Sequence, residues 1–303
     1  MTTATRPDDR QRTAGRLLAA SRRHSLDPAV DIDWAAPPVP GAYWIPAQLC
    51  SLYGTRLWAE LDEPRRIELT RHEMCAYASA GIWFEAILMQ MLLRHLYDTD
   101  RSGDRFQYGL VEIADECRHS TMFARLISHL GCPDYSPRGP INEIGRAIKS
   151  WSNTTVTFGA TLFVEEVLDT MQRLTLADDA VQPLSRQVCR LHVIEEARHI
   201  RYARTELAEV AAQLPATERA VSQLLLAGVA AVIMKRIPNP AVYAAVGIRP
   251  ADGRAAANAS PHWRATRRRL CAKVLHFLDE HALVGPIARR AILTPAGLYP
   301  QPT

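Results

Sequence analysis

Proline placement is the strongest constraint on what this chain can fold into. Its 303 residues hold 20 prolines, yet none falls in 65–132, 141–182, 184–214, 216–237 or 262–285. A proline inside a helix removes a hydrogen bond and clashes with the preceding turn, so these gaps are where long helices fit. They are filled largely by Ala, Leu, Arg, Glu, Ile and Met, which are good helix formers. No stretch alternates apolar and polar residues between hairpin turns. The pattern predicts an all-α chain, with helices over roughly 64–96, 105–130, 141–175, 184–211, 215–234 and 254–283. Residues 1–40 read as a polar N-terminal arm and Pro-rich wrap. Nothing after them reads as a linker, so 41–303 is expected to be a single domain.

Composition excludes several classes. A formal net charge of +4 on a chain of this size is too mild to make nucleic acid the expected partner. The six cysteines form no CxxC pair, which argues against a thiolate zinc site and a disulfide framework and for a reducing cytoplasm. The N-terminus is polar, without the apolar core of a signal peptide. The longest apolar run, Leu224 to Met234, is short for a bilayer, so no membrane is expected. The basic run from Arg264 to Arg269 reads as a solvated helix face.

Chemistry enters through a short repeat. Asp115-Glu116-Cys117-Arg118-His119 echoes Glu195-Glu196-Ala197-Arg198-His199. A Glu-x-x-His pair shares one helix face, because residues three apart are neighbours. Two copies with the same flanking acid and arginine exceed what composition explains. The helical use of this pattern is a dinuclear metal site in a bundle core, where two further helices each add one glutamate. Glu85 qualifies: it is the only acid between Glu73 and Asp98, on an otherwise apolar face. The other is Glu165 or Glu166. The neighbours of Glu165 are more apolar, so it points inward and Glu166 is left as a surface or supporting acid. His192, Glu196 and His199 fall on one narrow stripe, which adds a third imidazole.

The candidate metal ligands are therefore Glu85, Glu116, His119, Glu165, His192, Glu196 and His199. Carboxylates and imidazoles without thiolate suit two iron ions, with manganese as a substitute. Four bound carboxylates balance two divalent charges, and open positions would admit dioxygen. Asp115 with Arg118, and Glu195 with Arg198, are either local helix ion pairs or acids that hold the imidazole of the opposing helix. Asp169, one turn after Glu165, is a third acid of that kind.

These residues resemble the p-aminobenzoate N-oxygenase (AurF-type) family of non-haem diiron enzymes. The resemblance lies in Glu85, Glu116-x-x-His119, Glu165 and His192-x-x-x-Glu196-x-x-His199. It implies a ferritin-like helical bundle with additional helices, usually a homodimer. It implies oxidation of an aromatic amine to a nitro compound through hydroxylamine and nitroso stages, in secondary metabolism such as antibiotic biosynthesis. Electrons would come from an external reductase or ferredoxin, since no GxGxxG fingerprint is present. The family places its substrate with a tyrosine and an arginine, for which Tyr77 and either Arg289 or Arg290 are the matches here. A family asparagine has no match, and Met171 stands near its place. Two other readings share the metal set. One is a diiron hydroxylase or desaturase acting on a C–H bond; the other is a ferritin-like metal-binding protein without substrate.

Overall fold

A computed structural model describes residues 7–299, and among these there is no β-strand, only an isolated bridge between Tyr43 and Val181. The chain is all-helical, as expected. Its helices are α1 (Pro7–Arg23), α2 (Arg56–Glu60), α3 (Glu63–Tyr97), α4 (Asp104–Leu130), α5 (Pro140–Trp151), α6 (Thr154–Leu176), α7 (Pro183–Gln213), α8 (Ala216–Arg236), α9 (Pro250–Ala259), α10 (Pro261–Glu280) and the short α11 (Pro286–Ala288). Prolines open α3, α5, α7, α9, α10 and α11, where a missing N–H costs nothing. Asp62 caps α3 by accepting from the backbone N of Arg65 at 3.1 Å. Gly131 ends α4 at φ 61, a left-handed conformation that suits glycine.

Three expectations are corrected. The single helix over 141–175 is two, because Asn153 leaves the helix and caps α6 through Val156 N at 2.9 Å. The helix over 254–283 is also two, broken where Ser260 caps α10 ahead of Pro261. The polar arm contains a helix: α1 packs on α4 and α7, and Arg10 reaches Glu206 at 3.6 Å. The Pro-rich wrap behind it is clamped by Gln182, whose side chain bonds Val39 N, Val39 O and Ala42 O. Residues 1–6 of the arm lie outside the described residues.

α3 packs along α4 and α6 along α7, while α4 meets α7 and α3 meets α6, so the four long helices enclose one interior. α1, α8 and α10 pack outside that bundle, and α5 lies on α3. α5 approaches closely: a Cβ at Gly145 would come 2.6 Å from the Trp83 ring. By length and composition alone, Glu63–Tyr97 and Ala216–Val246 are each apolar enough to cross a bilayer. In this fold α3 is instead a core helix that carries buried Glu73 and Glu85. On α10, Arg264, Arg268 and Arg269 are exposed as expected, but Arg267 turns inward and donates to Met234 O.

Candidate metal centre

The bundle interior is lined by acids and imidazoles. Glu85 comes from α3, Glu116 and His119 from α4, Glu165 from α6, and His192, Glu196 and His199 from α7; all seven are buried. Isolated charges in such a place are costly, so they must be neutralised, paired or bound to metal.

Two tight groups form. Glu116, His119, Glu196 and His199 each offer a ligand atom within 4.8 Å of the others, and so do Glu85, His119 and His192. His119 belongs to both. Glu196 Oε1 lies 3.3 Å from Nδ1 of His119, 3.3 Å from Nδ1 of His199 and 3.4 Å from Nε2 of His192. Glu116 meets the same two Nδ1 atoms, at 3.4 Å to His119 and 3.0 Å to His199. His192 Nε2 stands 3.7 Å from Glu85 Oε1. Glu165 lines the same cavity from α6 but lies outside both groups.

The acids beside the metal residues cross between helices. His119 Nε2 lies 2.9 Å from Glu195 Oε2, and His199 Nε2 lies 3.2 Å from Asp115 Oδ2. Each Glu-x-x-His helix thus orients the imidazole of the other, leaving both Nδ1 atoms facing the centre. Both readings of the flanking arginines hold together, since Arg118 also pairs with Asp115 and Arg198 with Glu195. Asp169 does not join this pattern, because its carboxylate takes Arg173 Nε at 2.8 Å and 2.9 Å. The third imidazole is held by Gln172, whose Oε1 is 2.9 Å from His192 Nδ1. Glu166 is no surface acid; it is buried and pairs with Arg204 Nε at 2.5 Å.

Several buried donor atoms find no hydrogen-bond partner: Nδ1 of His119 and of His199, Glu116 Oε1, Glu196 Oε2 and both oxygens of Glu165. Unpaired buried polar atoms that converge from three helices fit metal ions, which satisfy them all at once. The titration pattern matches such a set. Burial pushes the Glu165 carboxyl well above the usual range and raises Glu85. Burial and the nearby Glu196 carboxylate work against Glu116 as well, but the His119 and His199 imidazoles beside it bring it below that range.

Two residues escaped the sequence reading. Gln172 sits seven positions after Glu165 on the same stripe of α6, a spacing that marks it. Glu112 lies one turn before Glu116, fully buried, with neither carboxylate oxygen partnered. Burial pushes its carboxyl up to about 8. Its i, i+4 relation to Glu116 was the available signal.

The expected substrate residues fall elsewhere. Tyr77 is buried, but it walls a small void with Met171 and Gln172 rather than the large cavity at the metal acids. Arg289 donates to Asp279 at 2.5 Å and stacks 4.9 Å from the Tyr299 ring. Arg290 is exposed, and neither arginine lines that cavity. The cavity measures about 1060 Å³, and Glu85, Glu116, Glu165, His192 and Glu196 share its wall with mostly apolar side chains.

A family model described as P-aminobenzoate N-oxygenase AurF matches residues 7–282. An uncharacterized protein of Mycobacterium tuberculosis (strain H37Rv) and one of Mycobacterium bovis are each 27% identical over 203 residues, covering 62% of this chain. The matched stretch spans 57% of the length of those relatives.

Proposed function

The chain belongs to the P-aminobenzoate N-oxygenase AurF family, and from that premise we propose that it is a dinuclear iron oxygenase that oxidises the nitrogen of an aromatic amine. The observation that carries this reading is the meeting of two ligand groups at His119: Glu116, His119, Glu196 and His199 on one side, Glu85, His119 and His192 on the other. Bound there, two iron ions would supply activation of dioxygen, with one oxygen atom passing to nitrogen and the other leaving as water.

The chain's own residues prepare the site. Glu196, whose Oε1 lies 3.3 Å from His119 Nδ1 and 3.4 Å from His192 Nε2, would help to hold the metal. Glu195 and Asp115 hold His119 and His199 with Nδ1 inward, and Gln172 holds His192 with Nε2 inward. Phe123, 5.0 Å from the His192 ring, and Leu168 on the cavity wall keep water from that side. Two electrons per oxygen atom transferred come from an external reductase or ferredoxin. The apolar cavity beside Glu85 also favours a second reading, in which the same centre oxidises a C–H bond.

The test is a single turnover. The protein is loaded anaerobically with iron(II), iron per chain is measured, p-aminobenzoate is added and oxygen admitted. Two irons per chain with hydroxylamine, nitroso or nitro products in the mass spectrum support N-oxygenation. Two irons and consumed oxygen with the amine untouched, across a panel of arylamines, would move the reading to C–H substrates. Failure to bind iron overturns both.

A further inference from the structure

The large cavity is much longer than the ring of p-aminobenzoate. It touches α3 from His72 to Met91, a separation of nineteen positions that covers roughly 28 Å at the helical rise. From the His72 end to Glu85, thirteen residues, is roughly 20 Å. Its volume of about 1060 Å³ stands at the top of the range for pockets that enclose drug-sized ligands. A molecule of about ten non-hydrogen atoms leaves most of such a pocket unfilled.

The walls are apolar and kept apart by small residues. Ala76, Ala80 and Gly81 on α3, Ala160 on α6 and Gly228 on α8 all face the space. A Cβ at Gly228 would meet nothing within 4 Å, so the absent side chain leaves room rather than serving a close packing contact. Leu224 and Leu225 of α8 and Ile144 of α5 line the cavity while remaining 44%, 49% and 45% exposed, which gives it an apolar slot to the outside.

One end carries positive charge. His72 Nδ1 bonds the Tyr135 hydroxyl at 2.6 Å, and Asn239 donates to Tyr135 O at 2.9 Å, so the 133–138 loop and the end of α8 meet at the His72 end. Arg138, Arg236 and Arg254 line the cavity from that loop, from the end of α8 and from α9. Arg138 pairs with Asp134, whereas Arg236 and Arg254 are exposed and form no ion pair among the described residues. Among the residues that line the cavity, Asp134 is the acid at this end, while the other carboxylates cluster at the metal end.

We propose that the substrate is a long anionic amphiphile: an apolar body along the channel, the reacting group at the metal acids, and a carboxylate or phosphate at Arg236 and Arg254. This rests on the oxygenase reading only for which atom reacts; the binding geometry stands without it. A span of roughly 20 Å corresponds to a chain of roughly fifteen carbon–carbon bonds. The α8 stripe of Leu224, Gly228, Val232 and Arg236 carries the same order, apolar along its length and cationic at its end.

The experiment uses the full chain without metal and measures binding by calorimetry. The probes are 4-aminophenylalkanoates from the butanoate to the dodecanoate, the methyl ester of the longest, and dodecyl phosphate beside dodecanoate. Each added methylene is expected to tighten binding about fourfold until the channel is filled. Arg236→Ala with Arg254→Ala is expected to weaken the long acid tenfold or more and leave its ester unchanged. Gly228→Leu should fold normally, by melting temperature, yet bind the dodecanoate at least tenfold more weakly than the wild type. Whichever of dodecanoate and dodecyl phosphate binds tighter names the head group. Affinity that stays flat along the series, or ester and acid that respond alike to the arginine changes, overturns the proposal. The two readings fail separately. Oxidation of p-aminobenzoate with a flat series removes the amphiphile and keeps the N-oxygenase. A rising series with every amine left untouched by the iron-loaded protein does the reverse.

Discussion

Nε2 of His119 on α4 lies 2.9 Å from Oε2 of Glu195 on α7, so an acid of the second Glu-x-x-His motif holds the imidazole of the first. The reciprocal contact joins His199 to Asp115. The flanking acids of the repeat are therefore parts of one device that ties two helices together while aiming two Nδ1 atoms inward. Removing either acid should loosen an imidazole without removing a ligand. Glu195→Ala and Asp115→Ala are each expected to lower iron affinity by about 10- to 100-fold, measured by competition with a chelator. Glu195→Gln, which keeps an acceptor, should lose less. Unchanged affinity in both alanine variants would show the cross-contacts to be helix ion pairs only.

Gln172 supports the third imidazole alone, through the 2.9 Å contact to His192 Nδ1. Gln172→Leu leaves that nitrogen without an acceptor and frees the ring to turn. The group of Glu85, His119 and His192 should then fill poorly while the other group still binds. Metal content after desalting is expected to fall from about two ions per chain toward one. Full content with an unaltered iron(III) absorption spectrum would rule this out.

Cys132 is a chemically distinct thiol. The neighbouring Cys75 thiol and, against the effect of burial, the nearby His72 and Arg71 hold its thiol down at about 5. His72 is itself fixed between Glu68 at 3.0 Å and the Tyr135 hydroxyl at 2.6 Å. A thiol held there would be thiolate at neutral pH. Its alkylation by iodoacetamide should change less than about twofold between pH 6 and 8, whereas an ordinary thiol gains about tenfold per unit. Peptide mass spectrometry reads the rate at this site. A tenfold rise per unit at Cys132 would show it to be an ordinary thiol.

Glu73 carries a pH dependence of stability. It is fully buried against Ser51, whose backbone N donates to it at 3.2 Å, and burial pushes its carboxyl up to about 7. A folded value above the unfolded one means the native state holds the extra proton. The resulting stability is complete below about pH 4.5 and is lost as pH rises through about 7. Glu73→Gln keeps a neutral hydrogen-bonding side chain and should be insensitive to this change. Relative to wild type it should gain about 1–3 kcal/mol between pH 5 and 8, read from urea midpoints. A constant difference across that range would refute the assignment.

Much of the fold was legible because its signals are local. Proline gaps marked α3, α4, α7 and α8 closely, since a missing N–H acts on its own helix whatever surrounds it. The break at Asn153 was not marked, whereas Pro261 marks the one at Ser260, which the expected helix over 254–283 ran across. At Asn153 a side chain that caps a new helix competes with one that continues the old, and packing of α5 on α3 favours the cap. The N-terminal helix escaped for a related reason: a polar α1 is stabilised through contacts with α4 and α7, including Arg10 to Glu206.

The candidate site divides along the same line. Residues on one helix face share it by geometry, so Glu-x-x-His pairs, the stripe of His192, Glu196 and His199, and the inward choice of Glu165 over Glu166 followed from spacing alone. Tertiary structure decided what lies across helices: Glu195 under His119, Gln172 rather than Asp169 under His192, and Glu166 buried against Arg204. It also decided where the cations stand, with Arg236 and Arg254 on the cavity and Arg289 turned to Asp279. Helical periodicity is a property of consecutive residues and is written in their order. Partnership between residues far apart depends on how whole helices pack, and that is settled by the summed burial of their faces rather than by any one spacing.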